Sequence, residues 1–292
     1  MTSGKDAMGT RRGATRPGRN TVRAGRWLAG VWLTAVLGFV LAPLVVVLAG
    51  SFSAAGGRIF PPDGLTLRWY GEVFRHEPFR TGLVNSLLVA GVATALALSV
   101  GTAAAYAVDR YRFPGRTALR ALFIAPLSVP RIVIGFALFV LIVTLTPRFY
   151  GSIAGVALAH GLILLPFVVS IVGAALSGLD PALEEAGRDL GFGPLATFRR
   201  VTLPQLRIGL TTAGVFAFVT SFDEVDTSIF LIRPGQSTLP IEMFLYLEQS
   251  QDPTLAALSA ILIGFSVVAV ALLVAVAGFG GLLRALGTGT RR

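Results

Sequence analysis

The sequence predicts an all-α, polytopic membrane protein with six transmembrane helices. Three observations carry the prediction. Hydrophobic residues make up 54% of the 292 positions and charged residues only 14%, whereas soluble domains carry about a quarter charged residues. The mean hydropathy is +0.74. The apolar residues also fall into six runs, each long enough for a hydrocarbon core of ~30 Å, which an α-helix crosses in about 20 residues.

Composition also narrows the chemistry. The chain has no cysteine, so disulfides, thiol nucleophiles and cysteine metal sites are excluded. Its two histidines, His76 and His160, are far apart in sequence. No metal-ligand cluster, GxxxxGK[ST] loop, HExxH or GxSxG motif is present. The chain is therefore read as a non-enzyme without metal or cofactor, unable to bind ATP itself. The net charge of +10 does not mean nucleic acid here, because in a membrane protein basic residues set orientation.

Residues 1–26 are rich in Gly, Thr and Arg and are expected to be a disordered, basic cytoplasmic tail touching anionic lipid. Residues 27–50 form the first span, too long for a signal-peptide core of about 7–15 residues. Residues 51–82 are polar and broken by Gly56, Gly57, Pro61, Pro62 and Gly64. They read as an outer loop with a short interfacial helix over 67–74, Trp69 and Tyr70 being its anchors. The second span, 83–108, is rich in the small residues that let membrane helices pack closely. A short basic loop follows at 109–118.

The third span, 120–145, is interrupted by Pro126, Pro130 and Arg131. The fourth, 153–176, contains His160 and Pro166. A charged island at 180–204 separates it from the fifth span, 208–232, which contains Asp223, Glu224 and Asp226. The loop 233–254 carries an amphipathic helix over 240–247. The sixth span is 255–283, and 286–292 is a short cytoplasmic tail. The membrane domain is thus 27–285.

Lys and Arg number seven in the N-terminal tail, four in the loop 109–120, four in the island through Arg207 and three at the C-terminus, out of 25 in all. The positive-inside rule puts these segments in the cytoplasm, N-in and C-in.

The island reads as two short helices. Asp180 and Pro181 open the first as N-cap and first helical residue, and Glu184 and Glu185 lie in its first turns, where negative charge suits the helix dipole. Leu183, Ala186, Gly187 and Leu190 form a stripe at helical spacing, and Gly191 sits at the C-terminal cap. Gly193 and Pro194 open the second helix, which leads through Val201, Leu203 and Pro204 into the fifth span. The small face at Ala186 and Gly187 suits close packing by another protein better than burial in lipid.

This island resembles the EAA loop of binding-protein-dependent ABC importer permeases. Glu185, Ala186 and Gly187 are followed after three residues by Gly191, and after nine more by Val201, Thr202, Leu203 and Pro204. Gly187 stands where the family pattern has a second Ala, and Val201 where Ile is commonest. The segment Leu67, Arg68, Trp69, Tyr70, the pair Asn85 and Ser86, the run Ser221 to Val225, and Thr238, Leu239, Pro240 are similar to the polyamine-type branch. The resemblance implies a type I ABC importer permease fold in a bacterial inner membrane. It implies coupling through Glu184, Glu185, Ala186, Gly187, Gly191, Leu203 and Pro204 to ABC ATPase subunits. It also implies a second permease subunit, paralogue or self, an extracytoplasmic solute-binding protein, and a solute such as spermidine or putrescine.

Charges within a span face a bundle interior or mark function. Asp223, Glu224, Asp226 and Arg131 are therefore candidates for the substrate path. The acids carry two readings: contact with a cationic solute, or pairing with Arg131. An Arg131 that lined the pore unpaired would instead favour an anionic or zwitterionic solute. A rival reading of these charges is an ion-coupled secondary transporter.

Overall fold

A computed structural model describes residues 19–54, 64–233, 235–250 and 252–277. The described residues are predominantly helical. Three helices are long and apolar enough to cross a membrane alone: α1 (Arg19–Gly50) over Trp27–Gly50, α3 (Glu77–Arg110) and α6 (Ile153–Ser177). α1 begins at Arg19, inside the segment 1–26 that the sequence reads as a disordered tail. The rest of that tail, and the segment 278–292, lie outside the described residues.

The third expected span is broken. α4 (Arg116–Ile124) and a 3-10 turn (Ala125–Ser128) meet α5 (Arg131–Leu145) at 109°. Pro130 has no N–H to donate and disfavours a helical residue before it, and Val129 is accordingly extended. The fifth expected span is shorter than read. It starts from α9 (Leu203–Gln205) and α10 (Arg207–Phe222), and α10 stops at Phe222. Asp223, Glu224 and Asp226 therefore lie in the turns beyond the helix, and the shared helical face expected of Asp223 and Asp226 does not exist. The sixth is α12 (Thr254–Ala277).

The centre of the molecule is the packing of α3, α6 and α10. Ala93, Ala97 and Ala105 of α3 and Ala213 and Ala217 of α10 meet Leu164, Val168, Val172 and Leu176 of α6, all buried. Small residues let the backbones approach, which is how membrane helices gain van der Waals contact. Two close approaches are Gly101, where an added Cβ would lie 2.7 Å from Val168 Cγ1, and Gly209, where it would lie 2.7 Å from Ala175 Cβ. By contrast α1 packs chiefly against α12, and from Trp27 to Val46 its apolar side chains are exposed.

A cap of short elements closes the end of the bundle where α3 begins. α2 (Arg68–Arg75) and α11 (Leu239–Gln249) lie where the sequence places interfacial helices. Trp69 is buried rather than belted at an interface, and its indole N–H donates to Ser53 O at 2.7 Å. Asn85 Nδ2 donates to Ser237 O at 3.0 Å, and Ser86 Oγ accepts from Leu239 N at 2.9 Å. These two α3 residues satisfy buried backbone groups of the α11 loop, which would otherwise be costly.

Candidate functional site

The hairpin at 180–204 sits at the other end of α3. It contains α7 (Ala182–Asp189), α8 (Pro194–Thr197) and a π-turn (Phe198–Thr202). α7 starts one residue later than expected, with Asp180 Oδ1 accepting from Ala182 N at 3.0 Å. Its end is a Schellman motif. Phe192 N donates to Gly187 O at 3.1 Å and Gly191 N to Arg188 O at 2.8 Å, with Gly191 at φ +84°. Glycine reaches this left-handed conformation without a Cβ penalty. The π-turn widens the backbone just ahead of Pro204, whose ring would clash with a carbonyl one turn back in a regular helix.

Of the stripe read from the sequence, Gly187 is buried and the other three residues are exposed. Leu183 is 48% and Leu190 77% exposed, and Ala186 and Glu185 are exposed too. Turned inward are Glu184, 3% exposed, and Gly187. Glu184 Oε1 accepts from Arg110 Nε at 3.0 Å and from Thr202 Oγ1 at 3.0 Å. Tyr106 Oη donates to Glu184 Oε2 at 3.3 Å, and Arg188 lies 3.7 Å from the same oxygen. Arg110 also donates to Leu176 O at 3.3 Å, the last turn of α6. One carboxylate thus joins both arms of the hairpin to the ends of α3 and α6. Arg110 and Tyr106 escaped the sequence reading because nothing local links them to a residue 74 or 78 positions away, and Thr202, 18 positions from Glu184, was read only as part of the motif.

Gly187 packs against Val201 and Thr197, with an added Cβ 3.4 Å from Val201 Cγ2. That is ordinary contact distance, so the alanine of the family pattern would fit. Leu203 is half-buried, and Pro204 and Gly191 are exposed.

The charges of the third and fifth expected spans divide. Arg131 Nη1 donates to Glu224 Oε2 at 2.9 Å, and Thr227 N donates to Glu224 Oε1 at 3.1 Å. Both carboxylate oxygens of Glu224 are engaged, and its side chain is 1% exposed. Asp223 and Asp226 are exposed. Asp223 borders a groove of about 490 Å³ between α3, α10 and α12, with Thr94, Phe218, Phe222, Phe265 and Ser266 in its wall. The Thr94 hydroxyl oxygen is buried without a hydrogen-bond partner among the described residues. Asp226 is not part of that wall.

Beside the Arg131–Glu224 pair, His160 is fully buried. Its Nδ1 lies 2.8 Å from Ser221 Oγ and its Nε2 2.8 Å from Ser228 Oγ. Ser228 Oγ donates its one hydrogen to Glu224 O at 2.9 Å, so Nε2–H is the donor to Ser228 and Nδ1 accepts from Ser221. The cluster pins the turn after α10 to α5 and α6. No group of three or more His, Cys, Asp or Glu side chains could hold a metal among the described residues.

Residues 97–286 match the family model of the binding-protein-dependent transport system inner membrane component. The chain is 30% identical over 232 residues to the putrescine transport system permease protein PotI of Escherichia coli (strain K12), covering 77% of this chain and 82% of that protein. It is 28% identical over 246 residues to the spermidine/putrescine transport system permease protein PotC of the same organism, covering 84% and 92%. A bacterial alginate ABC transporter, solved in complex with an alginate pentasaccharide-bound periplasmic protein, aligns at a TM-score of 0.69 with 16% identity, over 90% of this chain and 97% of that one. The family match covers well over half the chain and spans the hairpin, the central helices and the charge cluster alike: the chain belongs to the binding-protein-dependent transport system inner membrane components and is a permease subunit of an ABC importer, not itself an enzyme.

Proposed function

We propose that this permease moves a small polyamine-type cation, such as putrescine or spermidine, and that a separate ABC ATPase drives it through the hairpin at 180–204. The observation that carries the coupling role is the opposed placement of Glu184 and its neighbours. Glu184 is bonded inward to α3 and α6, while Leu183, Leu190 and Leu195 stand 48%, 77% and 69% exposed on the same hairpin. Apolar side chains displayed on a segment so anchored suit a protein partner. A force on Leu183, Glu185, Ala186 or Leu190 then reaches α3 through the Glu184–Arg110 bond. Gly191, Leu203 and Pro204 keep the shape of the docking element.

The solute reading rests on Asp223. Its exposed carboxylate beside aromatic rings suits an organic ammonium, which is drawn by the charge and by the ring faces. Glu224 and Arg131 neutralise each other, so the pair neither repels a cation nor contacts it directly, and Asp226 has at most a peripheral part. The names of PotI and PotC point the same way. Ion coupling through Asp223, Glu224 and Arg131 is disfavoured by the membership of an ATP-driven family.

The chain pairs with a second permease subunit, paralogue or self, with two ATPase subunits, and with an extracytoplasmic solute-binding protein at the α2 and α11 end. Both tails, 1–26 and 286–292, face the cytoplasm, and six spans over 27–285 make up the membrane domain. Uptake of labelled putrescine into proteoliposomes of the whole complex tests the reading. ATP-dependent uptake lost on Leu190→Asp, with ATPase no longer co-purifying, supports the coupling role. Uptake driven by an ion gradient without ATPase overturns it.

A further inference from the structure

We propose that the elbow between α3 and α4 binds the phosphate of an anionic phospholipid, gripped by Arg116 and Arg120. The two arginines are one turn apart on α4 and line one small pocket of about 180 Å³, together with Asp109, Ser170, Ser177 and Ile124. Like charges at this spacing repel across a helix face. Here both side chains line the same space, and an anion between them would relieve the repulsion.

The acids nearby are already engaged. Asp109 is paired with Arg110, and Arg110 with Glu184, which also lies near Arg188. Two acids and two bases close that network, and it leaves Arg116 and Arg120 uncompensated. Neither arginine forms an ion pair among the described residues. The Asp109 carboxylate is the one unfavourable wall for an anion, and Arg110 offsets it. Ser170 adds a hydroxyl that can donate to phosphate oxygen.

A lipid fits the elbow better than free phosphate. α4 has no buried residue, and beside its arginines it exposes Leu122 at 67% and Ile124 at 41%, with Phe113 36% exposed in the loop before it. A short helix with a basic pair and exposed apolar side chains has the character of an interfacial helix. It meets α5 at 109°, so it runs across rather than along that helix. Val169 and Ala174 give the pocket an apolar floor against which a glycerol backbone can lie. Anionic headgroups are drawn to such juxtamembrane arginines.

The test uses the whole importer complex in nanodiscs of phosphatidylcholine with phosphatidylglycerol, read by native mass spectrometry. The wild type is expected to retain phosphatidylglycerol. Arg116→Gln with Arg120→Gln should weaken retention roughly thirty-fold, the effect of removing two surface charges near an anionic bilayer. Arg75→Gln, on α2 at the far end of α3, should leave it unchanged. Equal retention by the double variant overturns the proposal. So does displacement of the lipid by millimolar inorganic phosphate, or equal thermal protection by phosphate in phosphatidylcholine alone, since the site would then take free phosphate. If the double variant does not assemble, a phosphatidylglycerol with a photoreactive headgroup decides on the wild type. Label within 109–124 or 170–177 supports the site, and label confined elsewhere overturns it.

Discussion

Arg110 Nε lies 3.0 Å from Glu184 Oε1, and the two side chains are only 11% and 4% exposed. An ion pair this buried is costly to halve, because removing one partner leaves a charge without compensation, at about 3–5 kcal/mol. Glu184→Ala should therefore lower the melting temperature of the purified permease and loosen the hairpin. Glu184→Gln keeps the acceptor for Thr202 and should lose less. Uptake that persists unchanged in Glu184→Ala would show that the hairpin is held by other contacts.

Gly191 and Gly187 separate backbone from packing. At φ +84° with nothing within 4 Å of an added Cβ, Gly191→Ala should cost only the left-handed backbone, about 1–2 kcal/mol. Gly191→Asn should cost less. Gly187→Ala should be close to neutral in stability, while Gly187→Leu should displace Val201 and Thr197. Hydrogen exchange over 180–204 reads each case.

Asp223 and Glu224 are adjacent in sequence and should behave differently. Asp223→Asn is expected to leave assembly intact and weaken apparent solute affinity about ten- to hundred-fold, the range for losing a charged contact. Arg131→Ala strands the buried Glu224 carboxylate, so it should destabilise the protein by about 3 kcal/mol, the low end for a broken pair because Arg131 is itself half exposed. Glu224→Gln should be milder than Arg131→Ala, since the arginine it orphans reaches solvent. Thermal melts and uptake on the same preparations distinguish assembly from transport.

Gly101→Ala would place a methyl 2.7 Å from Val168 Cγ1. Overpacking of this kind costs about 1–3 kcal/mol. Val168→Ala should restore much of the loss in the double variant, although Val168→Ala alone also destabilises. A double-mutant cycle on melting temperature measures that coupling, and simple additivity would mean α3 and α6 do not meet at this point.

Asp252 links α11 to α12: Tyr246 Oη donates to its Oδ2 at 2.8 Å and Thr254 N to its Oδ1 at 2.9 Å. Partial burial pushes its carboxyl up, but hydrogen bonds from Thr254 and Tyr246, with the charge of Arg68, outweigh burial and hold it below its usual value. A depressed folded-state value means the stabilisation is present above the ordinary carboxylate range and is lost as pH falls through the lowered one. Acid melts should therefore show a step that Asp252→Asn removes, measurable by thermal denaturation across acidic pH.

What the sequence determined by itself is what short stretches of chain encode. Hydropathy located the apolar segments, Pro130 marked the break in the third, and the positions of Gly191 and Pro204 bounded a hairpin whose cap geometry is local. The motif spacing also led to the family. What the tertiary structure decided is which side chains turn inward and which charges meet. Helical spacing grouped Leu183 with Leu190, but Glu184 occupies the buried face because Arg110, Tyr106 and Thr202 surround it there. Span-length reasoning carried the fifth helix to residue 232. It ends at Phe222 because the following turn is bonded to His160 on α6 and Arg131 on α5. Partner choice for Glu224 depends on distance across 93 residues of chain. Coulomb attraction and hydrogen bonding act over a few ångströms of space, whatever the separation along the sequence, so the sequence could offer Arg131 as a partner for the three acids but not choose Glu224 among them.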